Sequence, residues 1–488
     1  MSSSRLIPLD IQFPEVYHQV CKAFSDKDFA QVWLVGGAIR SMLLNQPVDD
    51  LDFVIQGNAL SCARTVADNL GADYFTLDEK RGVGRVLLRD NPRTVIDVSR
   101  LHSDGIEADM LARDFTINAI AIRCSNPQDL VDPTGGIGHV HGKILHMISE
   151  RSFPDDPIRL IRAIRIAVQN GFKIEVSTTI AIRKYIPKLA HVSTERVRDE
   201  FMRCLASEDP FAAINLLSHL NMMGFILPDW NANNRASALS RFRALQQLIS
   251  VIFTSKTKDA ACEYTLGLFA STVGQFRQEL RHHLTETVSD KSTRRERSHL
   301  MYLAMLLRSL SISSKPQKFV DLLKLSKSEC KMVSEMMSIG DLPKELSVAE
   351  DSLIRQQTFV QNDRISPTKA RAIHQYFKKH SEVAIEMGLL ALAEIVSEYG
   401  PQIPHILWET KLSAMFVLLD GYYDRYEDLI RPASIVNGND LITELGYKPG
   451  HKIGIILEQI TEAQAAGEIY DRDSALKMAR SIYSAFDT

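Results

Sequence analysis

LVGGAIRSMLLNQPVDDLDFVI, residues 34–55, decides how the N-terminal region is read. An apolar strand ends at Gly36 and Gly37 and a helical pattern opens directly behind them. Bare backbone at such a bend lets an anion such as a phosphate reach free N–H groups. The next apolar run begins with Asp50 and Asp52. At i and i+2 on a strand both carboxylates face one side of the sheet, where two like charges repel unless a cation lies between them. Oxygen ligands beside phosphates suit Mg²⁺, and paired ions about 3.5–4 Å apart hold the attacking and the leaving oxygen of a displacement at phosphorus. Taken singly, the glycine pair is a tight strand-to-helix turn and the aspartate pair a solvated strand end; together, within seventeen residues, they point to phosphate chemistry.

Working outward, short β-like runs crowd the first hundred residues: VWLV (32–35), LDFVI (51–55), RVLL (85–88) and TVIDV (94–98), each bounded by turn formers. Helical patterns over 38–44 and 62–70 lie between them, so the front end reads as a compact α/β unit. Asp97, alone among apolar neighbours, is either a third carboxylate on an adjacent strand or a turn cap. From about residue 155 the pattern is helix after helix, with no strand pair expected.

The chain has 488 residues, enough for about three domains. Its 45% hydrophobic and 24% charged residues exclude a largely disordered or collagen-like chain, and 24 Gly with 18 Pro suggest a helix-rich one. Turn formers cluster near 228–235, 311–317 and 343–351. Six widely spaced cysteines with no CxxC pair argue against a disulfide framework or zinc knuckle. No uncharged stretch reaches the ~18 residues of a membrane helix, and the start has no signal-peptide pattern; a cytoplasmic protein without membrane partners is expected. A net charge of −3 makes any nucleic-acid site a local patch. Residues 151–203 supply one, with eleven basic side chains against six acidic.

Four further segments follow the opening one: ARDFTINAIAI (112–122), VDPTGG (131–136), DDPIRLIRAIRIAVQNGF (155–172) and STERVRDEF (193–201). In type and order the set resembles the class II tRNA nucleotidyltransferase and bacterial poly(A) polymerase family, strongly over roughly residues 30–230. The resemblance implies that Asp50 and Asp52 bind catalytic Mg²⁺; Asp97 stays a candidate third ligand from its own place in the sequence. It implies that Gly36, Gly37 and Arg40 hold the nucleotide triphosphate, and that Arg113, Asp114 and Asn118 contact its ribose and phosphates. Asp156 and Arg159, with Arg162 on the same helix, would read the Watson–Crick edge of the incoming base in place of a nucleic-acid template. Arg165 and Arg196 would meet RNA, while Glu195, Arg196 and Glu200 brace the helices. From spacing alone, Asp155 and Arg159 are instead a surface i,i+4 pair. Three positions depart from the family's habit: Ser41 where Asp is common, Ala112 for Arg, and Asp155 for Glu.

The resemblance sets the expected fold as α+β: a nucleotidyltransferase head (1–145), a helical neck (146–230), a helical body (231–350) and a helical tail (351–488). SHLMYLAMLLRSLS (298–311) resembles an HD-type phosphohydrolase region without its His-Asp pair, and the adjacent His282 and His283 do not share one face, so no metal-dependent hydrolase is expected. His139 and His141 read as loop or strand histidines. Residues 437–479 suggest a G-x-D-L turn, a Pro-Gly break and two amphipathic helices, either binding the tRNA body or packing as scaffold. The implied activity is addition of C, A or both to the tRNA 3′ end from CTP and ATP, with release of pyrophosphate. The eight-residue segment 101–108 is shorter than in members that add complete CCA, which favours CC addition. The alternatives are a poly(A) polymerase, and a non-catalytic RNA-binding protein that retains the fold. Oligomeric state is not legible.

Overall fold

The computed structural model describes residues 11–25, 31–48, 50–89, 94–101, 105–254, 263–288, 295–310, 322–338, 340–346, 365–446 and 449–486. The chain divides into two units, Met1–Ile226 and Leu227–Thr488.

The first unit opens with α1 (Glu15–Ser25) and a seven-stranded sheet: β1 (Val32–Val35), β2 (Asp50–Ile55), β3 (Asp73–Asp78), β4 (Val83–Leu87), β5 (Val95–Arg100), β6 (Ala121–Arg123) and β7 (Asn126–Val131). Its order is β3-β4-β5-β2-β1-β6-β7, and only β2 and β5 run parallel. Helix α2 (Gly37–Leu43) follows β1, and α3 (Ala59–Leu70) follows β2. Asn58 caps α3 by accepting the Ser61 N–H, and Gly71 ends it in the left-handed conformation.

Alternation along β2 sorts its side chains. Leu51, Phe53 and Ile55 are fully buried, and Phe53 meets Phe24 of α1 with ring centroids 5.1 Å apart. Asp50, Asp52 and Val54 take the opposite face, where Val54 joins Trp33, Val35, Met110 and Ala121 in a second apolar cluster. Helix α3 lies so close to β4 that a Cβ on Gly84 would stand 2.7 Å from that of Ala63. Asp50 and Asp52 therefore lie on the sheet face that α3 leaves open.

The remainder of this unit holds α4 (Ile106–Leu111), α5 (Gly136–His141), β8 (Ile144–Leu145), α6 (Ser152–Asp155), α7 (Arg159–Gln169), β9 (Lys173–Ile174), α8 (Val176–Tyr185), α9 (Thr194–Leu205), α10 (Pro210–His219) and α11 (Met223–Ile226). Ile158, Ile161, Ile164 and Ala167 are buried as the helical spacing predicts, and so are Leu160, Ala163 and Ile166, which widens the stripe into most of the helix surface. The second unit is helical among its described residues. Its longest helices are Ala232–Thr254, Ala384–Tyr399 and His405–Tyr423. Among the described residues no helix is long and apolar enough to cross a membrane.

The expected α+β architecture is present, with local corrections. Strands β3, β6 and β7 were not anticipated: β7 carries Pro127 and lies at a sheet edge, where a missing N–H is tolerated. The expectation of no strand pair in the rear fails at β9, whose two residues pair in parallel with β8. His139 and His141 sit on α5, not in a loop or strand. The G-x-D-L motif opens a helix, Gly438–Leu445, whose Asn437 and Asp440 form a reciprocal N-terminal cap. Three helices, not two, thus pack through Leu441, Ile456, Ile460, Ala475 and Ala479. Residues 102–104, 311–317 and 347–351 fall outside the described residues.

Candidate active site

The open sheet face and helices α2, α7 and α9 of the first unit enclose a cleft of about 770 Å³. Seven arginines (40, 85, 113, 159, 162, 165 and 203) and four aspartates (50, 52, 97 and 114) line it with Gly36, Gly37 and Asn118. The arginine surplus suits a polyanion, and the aspartates give that anion a place for counter-ions.

The strand register builds the acidic centre. Asp52 stands opposite Val35 on one side and opposite Asp97 on the other. Burial first, then the charges of Asp97 and Asp50, push the Asp52 carboxyl up to about 6 against the opposing pull of Arg113 and Arg85. A cation between the Asp50 and Asp52 carboxylates would relieve that repulsion, so the pair fits a hard divalent ion. Asp97, expected as a third ligand, lies within β5 and does not cap a turn. Both its oxygens accept from Arg85, at 2.8 and 2.7 Å, which neutralises it. Among the described residues no group of three or more His, Cys, Asp or Glu stands in metal-holding geometry.

At the strand-to-helix bend Gly36 has φ of +79°, and a Cβ there would come 3.1 Å from the Arg113 guanidinium and 3.5 Å from Asp52 Oδ2. The glycine therefore leaves the gap between cation and carboxylate open. Arg113 donates to Asp109, at 3.2 Å, and not to its neighbour Asp114. Arg40 donates from one terminal nitrogen to Asn118, while its Nε is buried without a partner among the described residues. Burial, aided by the charge of Arg165, lowers the Arg40 guanidinium to about 10, with Asp114 and Asp52 opposing.

Asp114 is buried and fully engaged. Its Oδ1 accepts from the Phe115 N–H at 2.8 Å and from Asn118 at 3.0 Å, and its Oδ2 from Arg162 at 3.3 Å. Desolvation would raise its carboxyl, but Arg162 and these hydrogen bonds hold it below the ordinary range. It lines the cleft itself and orients Asn118 and Arg162 there.

Asp156 and Arg159, expected to read the base, are placed unequally. Arg159 lines the cleft and donates to the carbonyls of Arg113, Ser152 and Ala112 at 3.3–3.4 Å. Asp156 is not among the cleft's lining residues, and its Oδ2 accepts from Arg196 at 2.8 Å. The surface pair Asp155–Arg159 does not form; Asp155 faces Arg151 at 3.8 Å. Glu200, nearly fully buried, accepts from Arg162 at 3.2 Å and Arg165 at 2.8 Å and stands 3.5 Å from Arg203. It therefore locks α9 to the arginine face of α7. Arg165, expected to meet RNA, is part of this cleft wall.

Two features escaped the reading of motifs. Arg85 was counted only as part of an apolar strand, although a lone arginine alternating with Gly84 and Val86 was the available signal. Arg203 stands near the end of α9 with no local mark.

Two family profiles match the chain: "Poly A polymerase head domain" over residues 32–146, and "Probable RNA and SrmB- binding site of polymerase A" over 171–233. The chain is 28% identical to a protein of Geobacter sulfurreducens named CC-adding tRNA nucleotidyltransferase, covering 91% of this chain and 90% of that one. It is 26% identical to a Deinococcus radiodurans protein named A-adding tRNA nucleotidyltransferase, covering 89% and 92%. The fold is similar to that of the Thermotoga maritima CCA-adding enzyme solved with tRNA, at a TM-score of 0.56 and 18% identity over 97% of this chain and 96% of that one. By sequence the chain is thus similar along both units to tRNA nucleotidyltransferases, with a poly(A) polymerase head-domain match in its first unit, and its fold is that of a CCA-adding enzyme.

Proposed function

We propose that this chain extends the 3′ end of tRNA without a nucleic-acid template, adding the two C residues of the CCA end from CTP. One observation carries the reading: Asp50 and Asp52 share a sheet face with the Gly36 bend, Arg113 and Arg40, inside one cleft. The two carboxylates would hold a divalent ion, Mg²⁺ by its preference for oxygen, which supplies charge neutralisation at the phosphates and a more acidic ribose hydroxyl.

In this reading Gly36 and Gly37 admit the triphosphate, Arg40 and Arg113 balance its charge, and Asn118 is held in place by Asp114. The terminal hydroxyl displaces pyrophosphate at the α-phosphorus: one P–O bond forms, one breaks, and the hydroxyl proton leaves to solvent. Arg159, with Asp156 freed from Arg196, would present donors and an acceptor to the cytosine edge. Preference for CC over complete CCA addition rests on the short 101–108 segment and on the name of the Geobacter relative.

The test incubates purified protein with tRNA ending at the discriminator base, at +C and at +CC, with CTP or ATP alone and Mg²⁺. Two C additions and no A addition are expected. Addition of A to the +CC tRNA removes the CC-only reading, and long runs of A favour a poly(A) polymerase. Asp50→Ala with Asp52→Ala should abolish incorporation while tRNA binding persists; full activity in that variant overturns the site.

A further inference from the structure

The sheet places an exposed aromatic side chain in line with the acidic centre. Register pairs Asp52 with Asp97, Asp97 with Arg85, and Arg85 with Phe75, so one cross-strand row runs β2-β5-β4-β3. Residues directly opposite one another share a face, and the Arg85–Asp97 ion pair places this row on the open face. Tyr74 and Thr76 turn to the other face, where Tyr74 packs beside Gly84 under α3. Among the described residues Phe75 is 49% exposed, as is Leu77 two positions on, next to the β-bulge between Thr76 and Asp78.

Strand β3 is a sheet edge. Edge strands ordinarily carry charge, because exposed apolar groups there invite association. A half-exposed phenylalanine and leucine on the cleft side of an edge offer an apolar surface to a ligand that passes over them.

Direction of attack identifies it. The groups suited to the triphosphate, Gly36, Arg40, Arg113 and Asn118, lie on the β1 side of Asp52 or above it. In-line displacement puts the incoming oxygen opposite the leaving pyrophosphate. The RNA end must then approach from the other side of Asp52, over β5, β4 and β3. Phe75 lies three strands from Asp52, about 14 Å at the usual strand spacing, where bases at the end of that strand would pass. A flat aromatic face accepts any base by stacking, without sequence readout.

We propose that Phe75, with Leu77 beside it, is a stacking platform for the last bases of the acceptor RNA strand and fixes the approach of its 3′ hydroxyl. This rests on the nucleotidyltransferase reading above, and the test separates the two.

The test uses the full chain, an acceptor RNA carrying 2-aminopurine at its 3′ end, and the variants Phe75→Ala and Phe75→Tyr. Loss of one stack predicts that Phe75→Ala raises KM for RNA by about tenfold and leaves KM for CTP unchanged. It should also remove the fluorescence quenching seen when the wild-type protein binds the RNA, and Phe75→Tyr should restore both. Because Phe75 is exposed, the unfolding temperature should stay at the wild-type value. If the wild-type protein incorporates nucleotide and Phe75→Ala matches it in KM and quenching, the platform is overturned while the activity stands. If the wild-type protein incorporates nothing on any acceptor, the activity reading itself fails. If the wild-type protein is a dimer that Phe75→Ala converts to a monomer with unchanged RNA binding, the patch is a self-association surface and the proposal is overturned.

Discussion

Asp52 concentrates the conflict between stability and chemistry at a single residue. Its carboxyl is pushed up to about 6 by burial and by Asp97 and Asp50, whereas in an unfolded chain it titrates near 3.8. The folded state therefore prefers it protonated, and its charge destabilises the metal-free protein at neutral pH. Asp52→Asn removes that charge. In chelator-containing buffer the variant should be more stable than wild type above pH 6, by on the order of 1–2 kcal/mol. The advantage should shrink between about pH 6 and pH 4, where the wild-type carboxyl gains its proton, while incorporation is lost at every pH. Thermal unfolding across that range checks it. An Asn variant less stable than wild type at pH 8 would contradict the assigned crowding of carboxylates.

At the scale of the element, α7 presents arginines to the cleft because its opposite faces are filled by Ile158, Leu160, Ile161 and Ile164. The arginines are not equivalent. Arg162 and Arg165 are tied to buried Glu200, so they form wall and charge, whereas Arg159 rests on backbone carbonyls, which are weaker anchors for a guanidinium than a carboxylate. Arg159 is thus the member free to exchange its partners for a base edge. Arg159→Ala should narrow the preference for CTP over UTP by about tenfold while KM for tRNA stays within about twofold. Single-nucleotide incorporation with each triphosphate measures this, and an unchanged CTP/UTP ratio would take base reading away from Arg159.

At the scale of the molecule, every cleft residue lies between Gly36 and Ser207, within the unit that ends at Ile226. That unit has its own sheet core, and the C-terminal helices have another. Residues 1–226 alone should unfold cooperatively on heating, bind CTP, and add C to a short acceptor-stem hairpin. If the remaining helices hold the tRNA body, loss of that second contact should raise KM for whole tRNA by at least about tenfold. Wild-type KM for whole tRNA in the 1–226 protein would assign those helices to scaffold.

Local chemistry was legible in residues 34–55: strand, glycine bend and strand follow from β-branched runs and turn formers, and the i,i+2 spacing alone set both carboxylates on one face. The helical rear was legible for the same reason, since its apolar stripes recur at short range. Strands β3, β6 and β7 were not, because two are sheet edges with polar or proline-bearing sequences and β6 has only three residues. Nor were the pairings that set the site: Asp97 with Arg85 across twelve residues, Arg196 with Asp156 across forty, and Glu200 with two arginines of α7. A charged side chain has several possible partners at any spacing, and the register of strands and the crossing of helices choose among them. The sequence by itself determined which groups are available for phosphate chemistry; the tertiary structure decided which of them are neutralised, which are braced, and which face the open cleft.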